Sequence, residues 1–400
     1  MKTDIPIFDI DTHFAEPPDL WTSRAPAKFK DKVFHVERKP NGADAWFVEG
    51  REIGMIGPSV VAEDMTKVFG SFTIPTYEKM SRASSYAPER LDFMDSVGVG
   101  TQILYPNIIG FGAQTLMKIG DDPELRSWHV QAYNDALIDL QKDGKGRLLP
   151  QAALPLWDID ASLKELERIR KNGLTGIVMS DKPGDFGQPS LTNPVWDRFF
   201  ATCQDLGLPV NFHIGSGSFE GELNKWWPDD KQVVREDATV NGPIAIYSAV
   251  RNFINNSNDV INLILSGLLE KYPKLKFVSV ESGCGWLPFL IQGVEHNWKE
   301  MMNERELAKF KRDPREMFIE QIFASYWFEG PNCVDPFLKE FGNTNLMFQT
   351  DFPHPTSLYP EVREKVQQTL GHWDEETQKN VLYRNAERVY GHDVGLAKKH

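Results

Sequence analysis

Short apolar runs rich in β-branched residues recur along the chain, separated by longer segments in which apolar residues return every three or four positions. The runs lie near 5–11 (IPIFDID), 101–105 (TQILY), 147–153 (RLLPQAA), 174–180 (LTGIVMS), 208–214 (LPVNFHI), 275–281 (LKFVSVE), 321–326 (QIFASY) and 344–350 (TNLMFQT). Their length and composition read as buried strands. Over 158–172 (DIDASLKELERIRKN), Ile159, Leu163, Leu166 and Ile169 share one helical face while charges fill the other, and Gly173 supplies the stop. Similar reasoning predicts helices at about 121–143, 193–206, 285–310, 331–341 and 374–390. Eight alternations of strand and helix predict an α/β fold, a closed (β/α)₈ TIM barrel rather than an open doubly wound sheet.

Two stretches break the rhythm. Residues 22–87, approximately, mix turn residues, a β-like piece (DAWFVEG) and several aromatics, and residues 215 to about 255, opening GSGSFEGELNKWWPDDKQ, prolong the exit of the fifth strand. Both are expected to emerge at the C-terminal face of the barrel, where insertions build lids and substrate walls. No repeat, low-complexity tract or linker separates them, so residues 1–400 are read as one barrel domain with two insertions.

Composition narrows the function classes. With 400 residues, 41% hydrophobic and 25% charged, the chain can bury a large core, which excludes disordered and fibrous classes. A formal net charge of -13 and the lack of any basic run argue against a nucleic-acid partner. The apolar stretch NDVINLILSGLL is too short to cross a bilayer, and MKTDIPIFDI lacks the layout of a signal peptide, so a cytoplasmic protein with no membrane partner is expected. Cys203, Cys284 and Cys333 are odd in number and have no CxxC spacing, which supports neither a disulfide framework nor a thiolate metal site.

The polar candidates cluster at strand exits. Asp11 and His13 follow the first strand, His213 ends the fifth, Glu281 the sixth, and Asp351 follows the eighth. In an extended segment residues two apart point the same way, so Asp11 and His13 can offer a carboxylate and an imidazole to one ion. Singly, each has a structural reading, a hydrogen-bonded strand-end histidine or a turn-capping aspartate. Jointly, five titratable groups at one barrel mouth point to a divalent metal, which imidazole and carboxylate suit as Zn²⁺, Mn²⁺ or Fe²⁺.

At FDIDTHFAEPPDLW, VNFHIGSG, LILSGLLEKYPKLKFVSVESGCGWLPFL and LMFQTDFPHPTS the chain resembles the amidohydrolase superfamily, in particular the group containing aminocarboxymuconate-semialdehyde decarboxylase and aromatic-acid decarboxylases. The resemblance spans nearly the whole chain. It implies that Asp11, His13, His213 and Asp351 are metal ligands, with Glu281 an acid/base partner or a ligand of a second ion. Zinc is the leading expectation, manganese and iron the alternatives, at one or two ions per chain. Two departures stand out: DxH replaces the commoner HxH, and Glu281 stands where characterised decarboxylases carry a histidine. The fourth-strand VMSDKP has no lysine within the strand to bridge two ions, and Lys182 lies just beyond it.

Asp351 is expected to act as ligand and general base, and His354 in DFPHP to orient the metal's surroundings, touch substrate or pack a loop. Glu16 is expected to support the turn near the first ligands rather than to act in catalysis. Hydrolysis of a carbonyl compound by metal-activated water is the leading chemistry. Non-oxidative decarboxylation of an aromatic or dienoic acid is the second, ranked lower because the sixth-strand histidine is missing. A non-catalytic binding barrel is third. Trp46, Phe47, Phe69, Phe72, Trp226 and Trp227 in the insertions suggest a small, apolar or ring-bearing substrate, and a homo-oligomer is compatible with the sequence.

Overall fold

A computed structural model of the chain describes residues 5–120, 122–216 and 233–396. In chain order its strands are β1 (Phe8–His13), β2 (His35–Arg38), β3 (Asp44–Val48), β4 (Arg51–Met55), β5 (Thr101–Tyr105), β6 (Leu148–Pro150), β7 (Ile177–Met179), β8 (Val210–His213), β9 (Phe277–Val280), β10 (Ile322–Tyr326) and β11 (Leu346–Phe348). Strands β2, β3 and β4 form a small antiparallel sheet. The other eight are parallel, in the order β1-β5-β6 and β7-β8-β9-β10-β11.

Isolated parallel bridges join these two sheets at both edges, Ala152 to Ile177 and Thr12 to Phe352. The first seam carries Val178 N–H to Ala152 O at 3.0 Å; the second carries His13 N–H to Phe352 O at 2.7 Å and Asp351 N–H to Asp11 O at 2.9 Å. The ring of strands is therefore closed, the (β/α)₈ barrel expected from the alternation. Seven of the predicted runs each contain one barrel strand, while β1 runs past the end of the first run to His13, so Asp11 and His13 lie within the strand rather than after it.

The helices differ from expectation mainly at their ends. The stretch expected as one helix over 285–310 breaks into Leu287–Met301 and Glu304–Leu307, because Asn303 and Glu306 form a capping box that starts a new helix. The C-terminal helix of 374–390 contains a π-turn over Asn380–Arg384. Its last turn, Asn385–Tyr390, packs against the barrel interior, where Tyr390 stacks on Phe8 with ring centres 6.0 Å apart.

Inside the ring, Phe8, Ile10, Ile103, Leu149, Val178, Val278, Val280, Phe323 and Met347 form an apolar plug. The outward side chains of the same strands pack under the helices in a second, larger core. Between β1 and β5, Trp46 is fully buried edge-on to Trp21, ring centres 5.2 Å apart, so this aromatic is packing rather than substrate wall. The two inserted stretches meet: Phe72 N–H donates to Ala238 O at 2.8 Å and Val240 N–H to Gly70 O at 2.9 Å. Phe69 is exposed, and Phe47 and Phe72 are half-buried. Trp226 and Trp227 lie outside the described residues. Among the described residues no helix is long and apolar enough to cross a membrane.

Candidate metal centre

The site forms where the strands end. Phe8 and Ile10 of β1 face the barrel axis, and strict alternation would send Asp11 outward. The β1–β5 register slips between Asp9 and Thr12, a bulge that changes the phase and turns Asp11 and His13 toward the axis. Glu281 follows β9 directly, Asp351 lies three residues beyond β11, and both adopt left-handed backbone, φ 57° and φ 60°. Such φ values are costly for a residue with a Cβ and tend to mark functional positions. Here the sharp bend aims both carboxylates back over the barrel mouth.

The result is a convergence of donor atoms. His13 Nε2 lies 3.5 Å from Asp11 Oδ1 and 3.4 Å from Asp351 Oδ1; His213 Nε2 lies 3.4 Å from Asp11 Oδ1 and 3.3 Å from Glu281 Oε2. All these side chains are buried. The structure thus brings together Asp11, His13, His213, Glu281, Asp351 and His354, whose candidate ligand atoms form two overlapping groups that share His13 and Glu281. Lys182 is not among them. It precedes the short helix Pro183–Phe186.

Each imidazole is oriented by its other nitrogen. His213 Nδ1 lies 2.6 Å from Ile214 O and His13 Nδ1 3.4 Å from Pro106 O, which places the proton on Nδ1 and leaves the Nε2 lone pair aimed inward. Of the four inward atoms, Asp11 Oδ1, His13 Nε2 and His213 Nε2 have no hydrogen-bond partner although each is buried, and Asp351 Oδ1, also buried, is met by His354 Nδ1. Buried lone pairs facing one another destabilise the fold unless a cation satisfies them. Two ligands about 2.1 Å from a tetrahedral ion stand about 3.4 Å apart, which is the spacing of the His13–Asp11, His13–Asp351 and His213–Asp11 pairs.

The remaining carboxylate oxygens are tied down from behind. Gln349 Nε2 donates to Asp11 Oδ2 at 3.0 Å while its Oε1 accepts the Glu281 N–H at 3.1 Å, and Thr356 Oγ1 donates to Asp351 Oδ2 at 2.7 Å. His354 Nδ1 lies 2.9 Å from Asp351 Oδ1 and its Nε2 3.1 Å from Asn107 Oδ1, with its ring stacked on His13 at 3.5 Å. Glu16 accepts the Asn107 and Ile108 N–H groups at 2.9 and 3.1 Å, the loop-supporting role expected of it. Phe111, on the same loop, stacks on His213 with ring centres 3.8 Å apart and meets His13 edge-on.

Electrostatics divide the carboxyl groups. Burial, then the neighbouring Asp351 and Asp11, push the Glu281 carboxyl well above its ordinary range. Burial likewise raises Asp11. For Asp351 burial acts upward, but His354 and His13 outweigh it and hold the group low, hence ionised. Burial, with the nearby His354, holds His13 well below the ordinary imidazole value, so it stays neutral and able to donate its lone pair. One buried acid beside one held carboxylate is the separation that proton transfer uses.

Gln349, Phe111, Asn107 and Thr356 were not singled out from sequence. Gln349 alone left a usable signal, a polar side chain two residues before Asp351 at the end of the run TNLMFQT.

A closed parallel barrel with a buried imidazole and carboxylate cluster at its C-terminal mouth defines a metal-dependent barrel enzyme. The chain belongs to the amidohydrolase family, whose model, described as "Amidohydrolase", matches residues 9–392. It is 26% identical over 272 residues to a gamma-resorcylate decarboxylase of Rhizobium sp. (strain MTP-10005), covering 66% of this chain and 76% of that protein. In fold it is similar to an amidohydrolase of Mycobacterium avium subsp. paratuberculosis K-10, with TM-score 0.71 at 19% identity over 96% of this chain and 99% of that one. It is also similar to a dihydroxybenzoic acid decarboxylase from Polaromonas sp. JS666 with bound manganese and the inhibitor 2-nitroresorcinol, with TM-score 0.59 at 17% identity over 96% and 97%.

Proposed function

We propose that the protein is a metal-dependent decarboxylase that removes carbon dioxide from an aromatic carboxylic acid without oxidation. The observation that carries this is the placement of Glu281 at the cluster, 3.3 Å from His213 Nε2. Its presence in place of a histidine ranked decarboxylation second on sequence grounds. A carboxyl group at that place could carry a proton as the histidine would, and the curated relatives act as decarboxylases, which favours this chemistry over hydrolysis.

Asp11, His13, His213 and Asp351 would hold one divalent ion through the four inward atoms. The ion supplies positive charge that fixes the substrate's oxygens and offsets charge developing on its ring. A set of two imidazole nitrogens and carboxylate oxygens admits zinc, manganese or iron, and the manganese in the Polaromonas structure makes Mn²⁺ the first ion to load. The chain's own residues do the rest. The bond between ring carbon and carboxylate breaks, its electron pair stays on the ring, and the Glu281 carboxyl delivers a proton to that carbon as carbon dioxide leaves. Solvent then reprotonates Glu281. Thr356 and His354 hold Asp351 in place, and Phe111 and Tyr105, with ring centres 3.8 and 5.0 Å from that of His213, keep the ion's flank dry.

The test is a substrate screen on protein loaded with Mn²⁺ or Zn²⁺, scoring carbon dioxide separately from hydrolytic products. Hydroxybenzoates are expected to yield one carbon dioxide per arene formed. Turnover of esters, amides or lactones with no carbon dioxide from any aromatic acid would contradict the proposal.

A further inference from the structure

Arg90, on the helix Ala87–Val97, is only 2% exposed, an uncommon setting for a guanidinium. Its Nε donates to Ala83 O at 2.5 Å, its Nη1 to Gln102 Oε1 at 3.3 Å, and its Nη2 to His13 O at 2.5 Å and Ser84 O at 3.4 Å. Its guanidinium carbon sits 4.7 Å from the centre of the Phe352 ring. Gln102 passes the contact on, donating to Asp9 Oδ2 at 3.1 Å. Asp9 in turn accepts from Thr350 N at 2.8 Å and from Thr350 Oγ1 at 2.6 Å.

These contacts cross one of the two weak seams of the barrel. Between β1 and β11 a regular ladder is replaced by the single Thr12–Phe352 bridge, and that seam carries Asp11 and His13 on one side and Asp351 on the other. Arg90 grips the His13 carbonyl on one side and covers Phe352 on the other, while Asp9 reaches from β1 to the backbone of Thr350 next to Asp351. We propose that Arg90 is a positioning residue of the metal centre: its planar fork holds the ends of β1 and β11 in register, so that three of the four donor atoms keep the spacing one ion needs. The inference rests on the metal assignment above, and not on the reaction.

A cation behind a carboxylate-rich site could instead act through charge alone. The two roles have opposite signs. Deleting a charge that repels the ion would tighten metal binding, whereas deleting a fork that spaces the ligands weakens it. Lysine keeps the charge and loses the planar geometry.

The experiment titrates metal-free protein with Mn²⁺ and reads affinity and line shape by electron paramagnetic resonance in the wild type, Arg90→Met, Arg90→Lys and Thr350→Val, with His213→Ala as control. Both Arg90 variants are expected to bind Mn²⁺ at least tenfold more weakly and to give a broadened spectrum, and Thr350→Val to bind several-fold more weakly. Wild-type affinity and line shape in Arg90→Lys, or tighter binding in Arg90→Met, would overturn the proposal. Should the Arg90 variants not fold, Thr350→Val, which deletes one hydroxyl at near-constant volume, decides: an unchanged affinity and spectrum there overturns it. If His213→Ala binds Mn²⁺ like the wild type, the metal assignment itself is wrong and the inference falls with it.

Discussion

The lower interior of the barrel and its mouth are built from the same strands and obey opposite rules. In the interior, Phe8, Ile10, Ile103, Val278, Phe323 and Met347 interlock, and the polar group of Tyr105 is satisfied by Asn211 Oδ1 at 3.1 Å. Further along the same strands and their exits, Asp11, His13 and His213 point unsatisfied atoms inward beside the Asp351 carboxylate, and Glu281 and Asp351 sit in left-handed backbone. The interior concentrates stability and the mouth concentrates chemistry at a local cost in stability. A change at the mouth should therefore remove function and leave the fold, and a change below it should do the reverse.

The largest effect is expected from His213→Ala. Metal content should fall from about one ion per chain to near zero, and turnover by on the order of a thousandfold or more. The melting temperature should be no lower than that of metal-free wild type, because a buried lone pair facing carboxylates has been removed. Metal analysis with circular dichroism checks this, and a variant that keeps its ion would break the comparison. Next is Glu281→Gln, which keeps shape and removes the transferable proton. Turnover should drop about 10²- to 10⁴-fold with the ion retained. Near-normal turnover would return Glu281 to a structural role.

Outside both regions, His129 gives a pH-dependent contrast. Its Nδ1 lies 2.8 Å from Leu125 O and its Nε2 accepts the Phe34 N–H at 3.3 Å, so the neutral ring fastens the inserted stretch to the helix Pro123–Asp143. Burial lowers its pKa from 6.5 to about 4. The folded state therefore favours the neutral form: its contribution is fully present above about pH 6.5 and is lost as pH falls through about 4. That amounts to roughly 3 kcal/mol. Denaturant unfolding across this window should show a steeper acid loss in the wild type than in His129→Gln. Equal slopes would remove the histidine from the account. The smallest effect belongs to Ile10→Val in the interior, about 1 kcal/mol of stability with turnover unchanged. A matching loss of activity would show that the plug and the mouth are not separable.

The strands were legible because parallel strands buried on both faces must be apolar almost throughout, which leaves runs such as LKFVSVE. The cluster was legible because its members sit at strand exits, and order along the chain maps onto position around the ring. Arg90 was missed, although its helical spacing with Ala87 and Met94 puts an arginine on an apolar face, the mark of a buried charge. Phe111 and Asn107 lie on a loop whose path depends on Glu16, and no periodicity encodes that. The choice between chemistries was ranked the other way because the sequence shows a substitution, glutamate for histidine at 281, while only coordinates show that the carboxylate reaches His213.

The most direct test of the central claim is anomalous diffraction from crystals of the Mn²⁺-loaded protein. A single peak at the barrel mouth, about 2.0–2.3 Å from Asp11 Oδ1, His13 Nε2, His213 Nε2 and Asp351 Oδ1, is the expected result. A peak elsewhere in the chain, or two full-occupancy peaks that divide these four residues between them, would contradict the account.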